Sequence, residues 1–222
     1  AAKHLHVYRR EPGLCGAKLD EFDRLVREQK IDFMGQIVGP ICRAAWLLIS
    51  DRPQESEALF RESIPRWSEV GLGVDIPDYK MMHAQSAALS GRLDVALTLV
   101  EEALEQIERP GWEEKCIYAE ALRVKGWILQ LGGDLAGAEA MFRSSLEASR
   151  EQQAKSWELR AATSYAKLLK DQERRKEAVE LLEPVYDWFT EGFDTSDLKD
   201  AKRLLEELSR ETQPVGPNRS RR

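Results

Sequence analysis

The run from Leu122 to Leu146, LRVKGWILQLGGDLAGAEAMFRSSL, decides how the chain is read. Leu122, Gly126 and Leu129 fall at helical spacing on one face. Gly132-Gly133 stops that helix, and Asp134 is placed to cap the next. Ala138, Phe142, Ser145 and Leu146 then form a second apolar stripe. Gly126 and Ala138 are small where two helices must approach closely. Phe142 is large where a gap between neighbouring pairs must be filled. The run reads as two amphipathic helices packed back to back through a tight turn.

One such hairpin cannot bury its own face, so copies are expected. The small residue of the first helix recurs as Ala44, Ala84, Gly126 and Ala166, at spacings of 40, 42 and 40. Three residues further on stand Leu47, Ala87, Leu129 and Leu169. The small residue of the second helix is Ser56, Ala96, Ala138 and Ala178. Four residues later come Phe60, Val100, Phe142 and Leu182. Ser63-Ile64, Ala103-Leu104, Ser145-Leu146 and Val185-Tyr186 complete the pattern. The order resembles a tetratricopeptide helix pair, whose usual period is roughly 34 residues. The extra residues amount to about two helical turns per unit. HEAT and armadillo arrays, with periods of about 40–47, are the rival. The glycine turn and the alanine-then-aromatic order favour the tetratricopeptide reading. The expected fold is all-α: a right-handed superhelical array of hairpins with a C-terminal capping helix.

The 222 residues are 42% hydrophobic and 32% charged with net charge −6, enough for a core, and repeat stacking favours one elongated domain. Cys15, Cys42 and Cys116 are far apart, without zinc spacing, and fit buried small residues in a reducing, cytoplasmic compartment. No run reaches the roughly 18 apolar residues of a membrane span. The acidic balance argues against non-specific nucleic-acid binding.

Four regions follow from the pattern. Residues 1–30 read as a partial N-terminal repeat: a helix end to Arg10, a turn at Glu11-Pro12-Gly13, and a helix from Leu14 to Lys30. The chain thus begins inside a repeat, which suggests a piece of a longer protein with N-terminal helices either frayed or covered by another copy. Residues 31–192 hold four helix pairs. Gly39-Pro40 kinks or starts the first helix, Pro53 starts the second, and the third pair extends back to Trp112. Residues 193–210 form the capping helix, apolar along Leu198, Ala201, Leu204, Leu205 and Leu208. Residues 211–222, rich in Pro, Gly and Arg, read as a disordered tail.

The runs SWELRAATSYAKLL and LLEPVYDWFTEGFDTSDLKDAKRLLEEL sharpen the resemblance. They are similar to the C-terminal tetratricopeptide region of large bacterial signalling proteins, in which a class III adenylate/guanylate cyclase or DNA-binding domain and a signal-transduction ATPase domain precede the repeats. The match is most specific from Ser156 to Leu208, through Leu159-Arg160-Ala161-Ala162, Leu182, Pro184-Val185-Tyr186, Trp188 to Thr195, and Asp197-Leu198. The resemblance implies a partner-binding or sensing role. No glycine-rich phosphate loop is present, so the cyclase and ATPase activities are not carried over.

No catalytic set emerges, and no cofactor or metal is expected. His4, His6 and His83 lack ligand-like neighbours and read as surface or core histidines. Glu101-Glu102 and Glu113-Glu114 read as solvated helix faces. Cys116 reads as a buried small hydrophobe. Trp188-Phe189 is expected to pack the last helix against the array. The first helices of such pairs line the concave side. That places Ala45, Gln85, Trp127 and Lys167 in a groove, with Ile41, Met81, Arg123 and Thr163 one turn earlier, and Arg160 and Lys170 nearby. The groove should be apolar near its start and basic near its end. Arg123, Arg160, Lys167 and Lys170 are candidates to hold a carboxylate or phosphate, with Trp127 as an apolar anchor and Gln85 beside it. The bland alternative is that these charges only solvate a helix. The expected partner is a peptide, a protein or another domain of the parent chain. A small metabolite and a second copy of the chain are the alternatives.

Overall fold

The structure is a computed structural model; it describes residues 2–71, 73 and 75–210, with side chains from Leu5 onward. The proposed tail, residues 211–222, lies outside the described residues, as does the side chain of His4. All described regular structure is helical: α1 (Ala2–Tyr8), α2 (Pro12–Gln29), α3 (Gly39–Ile49), α4 (Pro53–Glu69), α5 (Ile76–Leu89), α6 (Leu93–Glu108), α7 (Tyr118–Leu131), α8 (Leu135–Glu151), α9 (Lys155–Asp171), α10 (Arg175–Asp187) and α11 (Ser196–Arg210). A π-helical turn, Met34–Val38, leads into α3 and ends with Gly39 N–H donating to the Met34 carbonyl. It sits directly before Pro40, which has no N–H to give the preceding turn.

Each helix packs on the next, and α1/α2, α3/α4, α5/α6, α7/α8 and α9/α10 form successive hairpins. The first helices also touch across hairpins: α1 on α3, α3 on α5, α5 on α7, α7 on α9 and α9 on α11. Among the described residues the second helices make no such contacts with one another. The layer of first helices is therefore the inner, shorter side of the stack.

The sequence columns are the core. Ala44, Ala84, Ala166, Ser56, Ala96, Ala138 and Ala178 are fully buried, as are Phe60, Val100, Phe142 and Leu182. Gly126 marks the tightest approach: a Cβ there would lie 2.8 Å from the Phe142 ring and 3.2 Å from the Ala138 carbonyl. Buried serines satisfy their hydroxyls on neighbouring backbone, with Ser145 Oγ donating to the Ala119 carbonyl at 2.7 Å and Ser56 Oγ to the Ala44 carbonyl at 2.8 Å.

The turns repeat as strictly as the helices. Asp51, Gly91, Gly133 and Glu173 occupy the left-handed region between the helices of successive pairs. In each turn the residue after them donates to the carbonyl five residues back: Arg52 to Leu47, Arg92 to Ala87, Asp134 to Leu129 and Arg174 to Leu169. This is the C-terminal cap that lets a helix end and the chain reverse. Arg10, between α1 and α2, has the same conformation. A second series, Lys30, Gly71, Gly111, Gln153 and Gly192, also has positive φ, in the segments that follow α2, α4, α6, α8 and α10.

Three expectations need correction. Trp112 to Cys116 is not helical; α7 starts at Tyr118. The connector is held instead by tertiary bonds, with the Glu114 carboxylate accepting from the Asp75 N–H at 3.2 Å. Cys116 is exposed in that connector, whereas Cys15 and Cys42 are buried. Trp188 is 57% exposed under the Lys155 ammonium, and only Phe189 packs on the C-terminal core. At the N-terminal end Val7 is buried in one core with Ile41 and Ala45, while Leu5, Leu14 and Leu25 are exposed.

Candidate functional site

The inner faces of α5, α7, α9 and α11 enclose a groove that continues under α1. One part, of about 380 Å³, is walled by Leu48, Ile49, Met81 and Met82 on one side and by Arg123, Arg160 and Asp200 on the other. The adjoining part, of about 780 Å³, runs past Trp127, Lys170, Arg203 and Glu207. Gln85, Leu89, Arg123, Ser164, Lys167 and Asp200 line both. Gln85, Arg123, Trp127, Arg160, Lys167 and Lys170 thus all face one connected space, spread over α5, α7 and α9.

Helical spacing explains this convergence. Gln85, Trp127 and Lys167 each follow the small column residue that touches the second helix, so they point about 100° away from that contact. Trp127 is half-buried and bridges the two larger cores. Lys167 is exposed. A column six residues before the small one holds Val38, Asp78, Glu120 and Arg160: Glu120 and Arg160 line the groove, Asp78 lies behind the Tyr8 hydroxyl, and Val38 belongs to the N-terminal core. Asp78 and Glu120 are 4% and 2% exposed, so their charges depend wholly on neighbours.

Those neighbours form a network. Glu120 accepts from Arg123 Nε at 2.7 Å and from Arg160 Nη1 at 3.0 Å. Burial works against its ionisation, but the two guanidinium groups outweigh that and hold its pKa below the usual carboxylate value. Arg160, its side chain 13% exposed, also donates from Nε to Asp197 of α11 at 2.9 Å and lies over the Trp157 ring at 5.2 Å. Burial opposes its charge, and Glu120 and Asp197 more than compensate, raising its pKa. Asp78 has no such cation among the described residues. Burial pushes its pKa up to about 7, the Tyr8 hydrogen bond pulls the other way, and Asp75, Glu114 and Glu120 add to the rise.

The expected basic end of the groove is consequently a mixed one. Arg123 and Arg160 are committed to Glu120 and Asp197, and Lys170 donates to Glu207 of α11 at 2.5 Å. α11 adds acids to this end: Asp197, Asp200 and Glu207 line the groove. Lys167 and Gln85 remain the polar groups of the candidate set with least commitment to such pairs. Five members of the network were not foreseen: Tyr8, Asp78, Glu120, Asp197 and Asp200. Asp78, Glu120 and Arg160 were available as a column at spacings of 42 and 40, in the same arithmetic that found the small residues.

The other residues singled out from the sequence are placed elsewhere. His83 is buried against the Phe60 ring, with its Nε2 3.5 Å from Glu57, and burial lowers its pKa. His6 is bonded to Glu11 at 2.7 Å. Glu101 and Glu102 pair with Lys125 and Lys80. Cys116, though exposed as a residue, has a thiol partly withdrawn from water; that desolvation, then Glu114 and Asp78, raises its pKa and disfavours the nucleophilic thiolate. Among the described residues no group of His, Cys, Asp and Glu has the geometry of a metal site. No described helix is long and apolar enough to cross a membrane.

No family model matches the sequence, and no curated protein is significantly similar to it. The fold is similar to that in the crystal structure of BtubC (BKLC) from P. vanneervenii, with a TM-score of 0.60 and 16% identity, over 97% of this chain and 96% of that one. At that identity the likeness is one of fold: a helical chain of matching extent.

Proposed function

We propose that this chain is a non-catalytic, tetratricopeptide-like interaction module that takes a chain segment into its inner groove. The observation that carries the reading is the convergence of Gln85, Trp127 and Lys167, one from each of three successive first helices, on a single connected groove. A half-buried tryptophan beside paired charges of both signs suits a peptide, whose backbone and side chains need donors, acceptors and one apolar anchor. The resemblance of the C-terminal third to bacterial signalling proteins supports a cytoplasmic role as the regulatory part of a cyclase- or ATPase-linked parent.

Peptide display against the chain tests the reading. Selected peptides should bind saturably and lose at least about ten-fold in affinity with Trp127→Ala or Lys167→Ala. Selection of nothing, or of peptides indifferent to both changes, overturns it. A second reading, a small-molecule sensor, draws on the part of the groove beneath α1, whose volume of about 380 Å³ is within the range of small-molecule pockets. A thermal-shift screen of metabolites beside peptides separates the two: stabilisation by a metabolite alone favours the sensor.

A further inference from the structure

The groove already holds a segment, and it belongs to this chain. The C-terminal end of α1 crosses from α5 to α11. Tyr8 donates its hydroxyl to Asp78 Oδ1 at 2.5 Å and sets its ring edge-on to Trp157, with centroids 5.2 Å apart. The Tyr8 carbonyl accepts from Arg160 Nη2. Two residues on, Arg10 Nη2 donates to both Asp197 and Asp200 at 2.8 Å. A phenol, a backbone carbonyl and a guanidinium are thus each read by a different part of the groove. These are the parts of a peptide-recognition subsite: an aromatic wall with an acceptor behind it, a backbone clamp, and a carboxylate pair at a fixed distance along the segment.

The subsite is also built for one ligand polarity. Its acids, Asp78, Asp197 and Asp200, face the occupant, while its buried cation, Arg160, is held by Glu120 and Asp197 and offers only one remaining direction, to a carbonyl. An acidic or phosphorylated segment would meet carboxylates. We propose that this subsite recognises a segment carrying tyrosine followed two residues later by arginine, and that Tyr8 and Arg10 occupy it in cis. A partner segment of the same chemistry therefore competes with α1. The assignment rests on the groove being a segment-binding site, and supplies the class of segment.

The probe is a fluorescein-labelled peptide of the chain's own Leu5–Gly13 sequence, LHVYRREPG, followed by anisotropy against the full chain. Tyr8→Ala/Arg10→Ala should empty the phenol and guanidinium places and loosen the hold on α1, so that this chain binds the probe at least ten-fold more tightly than the unaltered chain. A probe with alanine in place of its tyrosine and second arginine should lose that binding, and adding Asp197→Asn/Asp200→Asn to the vacated chain should abolish it. Arg10→Ala alone, a change at an exposed side chain, serves if the double variant loses its helical circular dichroism; it should bind the probe more tightly than the unaltered chain. No binding by a folded, vacated chain overturns the proposal, as does equal binding of the alanine probe. If selected groove peptides still depend on Trp127 and Lys167 when the probe fails, the subsite assignment falls and the groove reading stands. If neither binds, both fall.

Discussion

At the scale of single residues, Asp78 is the most informative group, because it is buried with no cation beside it among the described residues. Its folded pKa of about 7 lies above its ordinary value of 3.8. Between those values the folded chain keeps a proton that the unfolded chain has released, so stability falls as pH rises through the window and then levels off. A tenfold difference in proton affinity between the two states is worth about 1.4 kcal/mol, which puts the effect at roughly a few kcal/mol. Glu114, also raised, works in the same direction, and His83, lowered, works in the opposite one. The contribution of Asp78 is isolated by difference: Asp78→Asn should gain stability over the unaltered chain at pH 8 relative to pH 5, measured by urea midpoints. An equal difference at both pH values would contradict the burial argument. Gly126 gives a second test. Alanine normally favours a helix by up to about 1 kcal/mol over glycine. Here its Cβ would sit 2.8 Å from the buried Phe142 ring, so Gly126→Ala should destabilise by about 1–3 kcal/mol in the same assay.

At the scale of elements, the turns carry the period. A left-handed residue closes every hairpin, and the sequence meets that demand unevenly. Gly133, at φ +86°, has open space around it, so its role is purely conformational. Glu173, at φ +62°, holds the matching place in α9/α10 with a side chain that the left-handed region disfavours. Gly133→Ala should cost about 1 kcal/mol, and Glu173→Gly should stabilise by up to about 1 kcal/mol, both read from thermal or urea unfolding. The two changes have opposite signs at equivalent positions, so a shared sign would show that the turns are not equivalent. Asp134 accepts from the Gly137 N–H at 2.9 Å, and Asp134→Ala should lose about 1 kcal/mol of cap.

At the scale of the molecule, Arg160 joins what the helical array leaves apart. It ties α7 through Glu120, α11 through Asp197 and α1 through the Tyr8 carbonyl. Replacing it with leucine leaves Asp197 facing the groove without this partner, and costs about 3–5 kcal/mol by analogy with other broken buried pairs. The loss should appear in small-angle scattering as a larger radius of gyration, because the contacts holding α1 to α9 and α11 go with it. An unchanged radius in a chain that has lost stability would place the closure elsewhere, in the Arg10 pairs. Those are partly exposed and should weaken with salt, unlike the Arg160 contacts.

Local arithmetic made the helical class, the hairpin order and the buried columns legible. A small residue at a helix crossing and a glycine at a left-handed turn are demands of backbone geometry that any single copy states by itself, and four copies state them at nearly constant spacing. The six groove candidates were legible for the same reason, since facing direction follows from helical period. What the tertiary structure alone decided is the electrostatic character of the groove. Arg160 and Tyr8 are 152 residues apart, and Arg10 and Asp200 are 190 apart. No period shorter than the array relates such pairs. They meet because the stacked first helices bring the start of the chain against α9 and α11, and that approach is a property of the whole stack, not of any repeat within it.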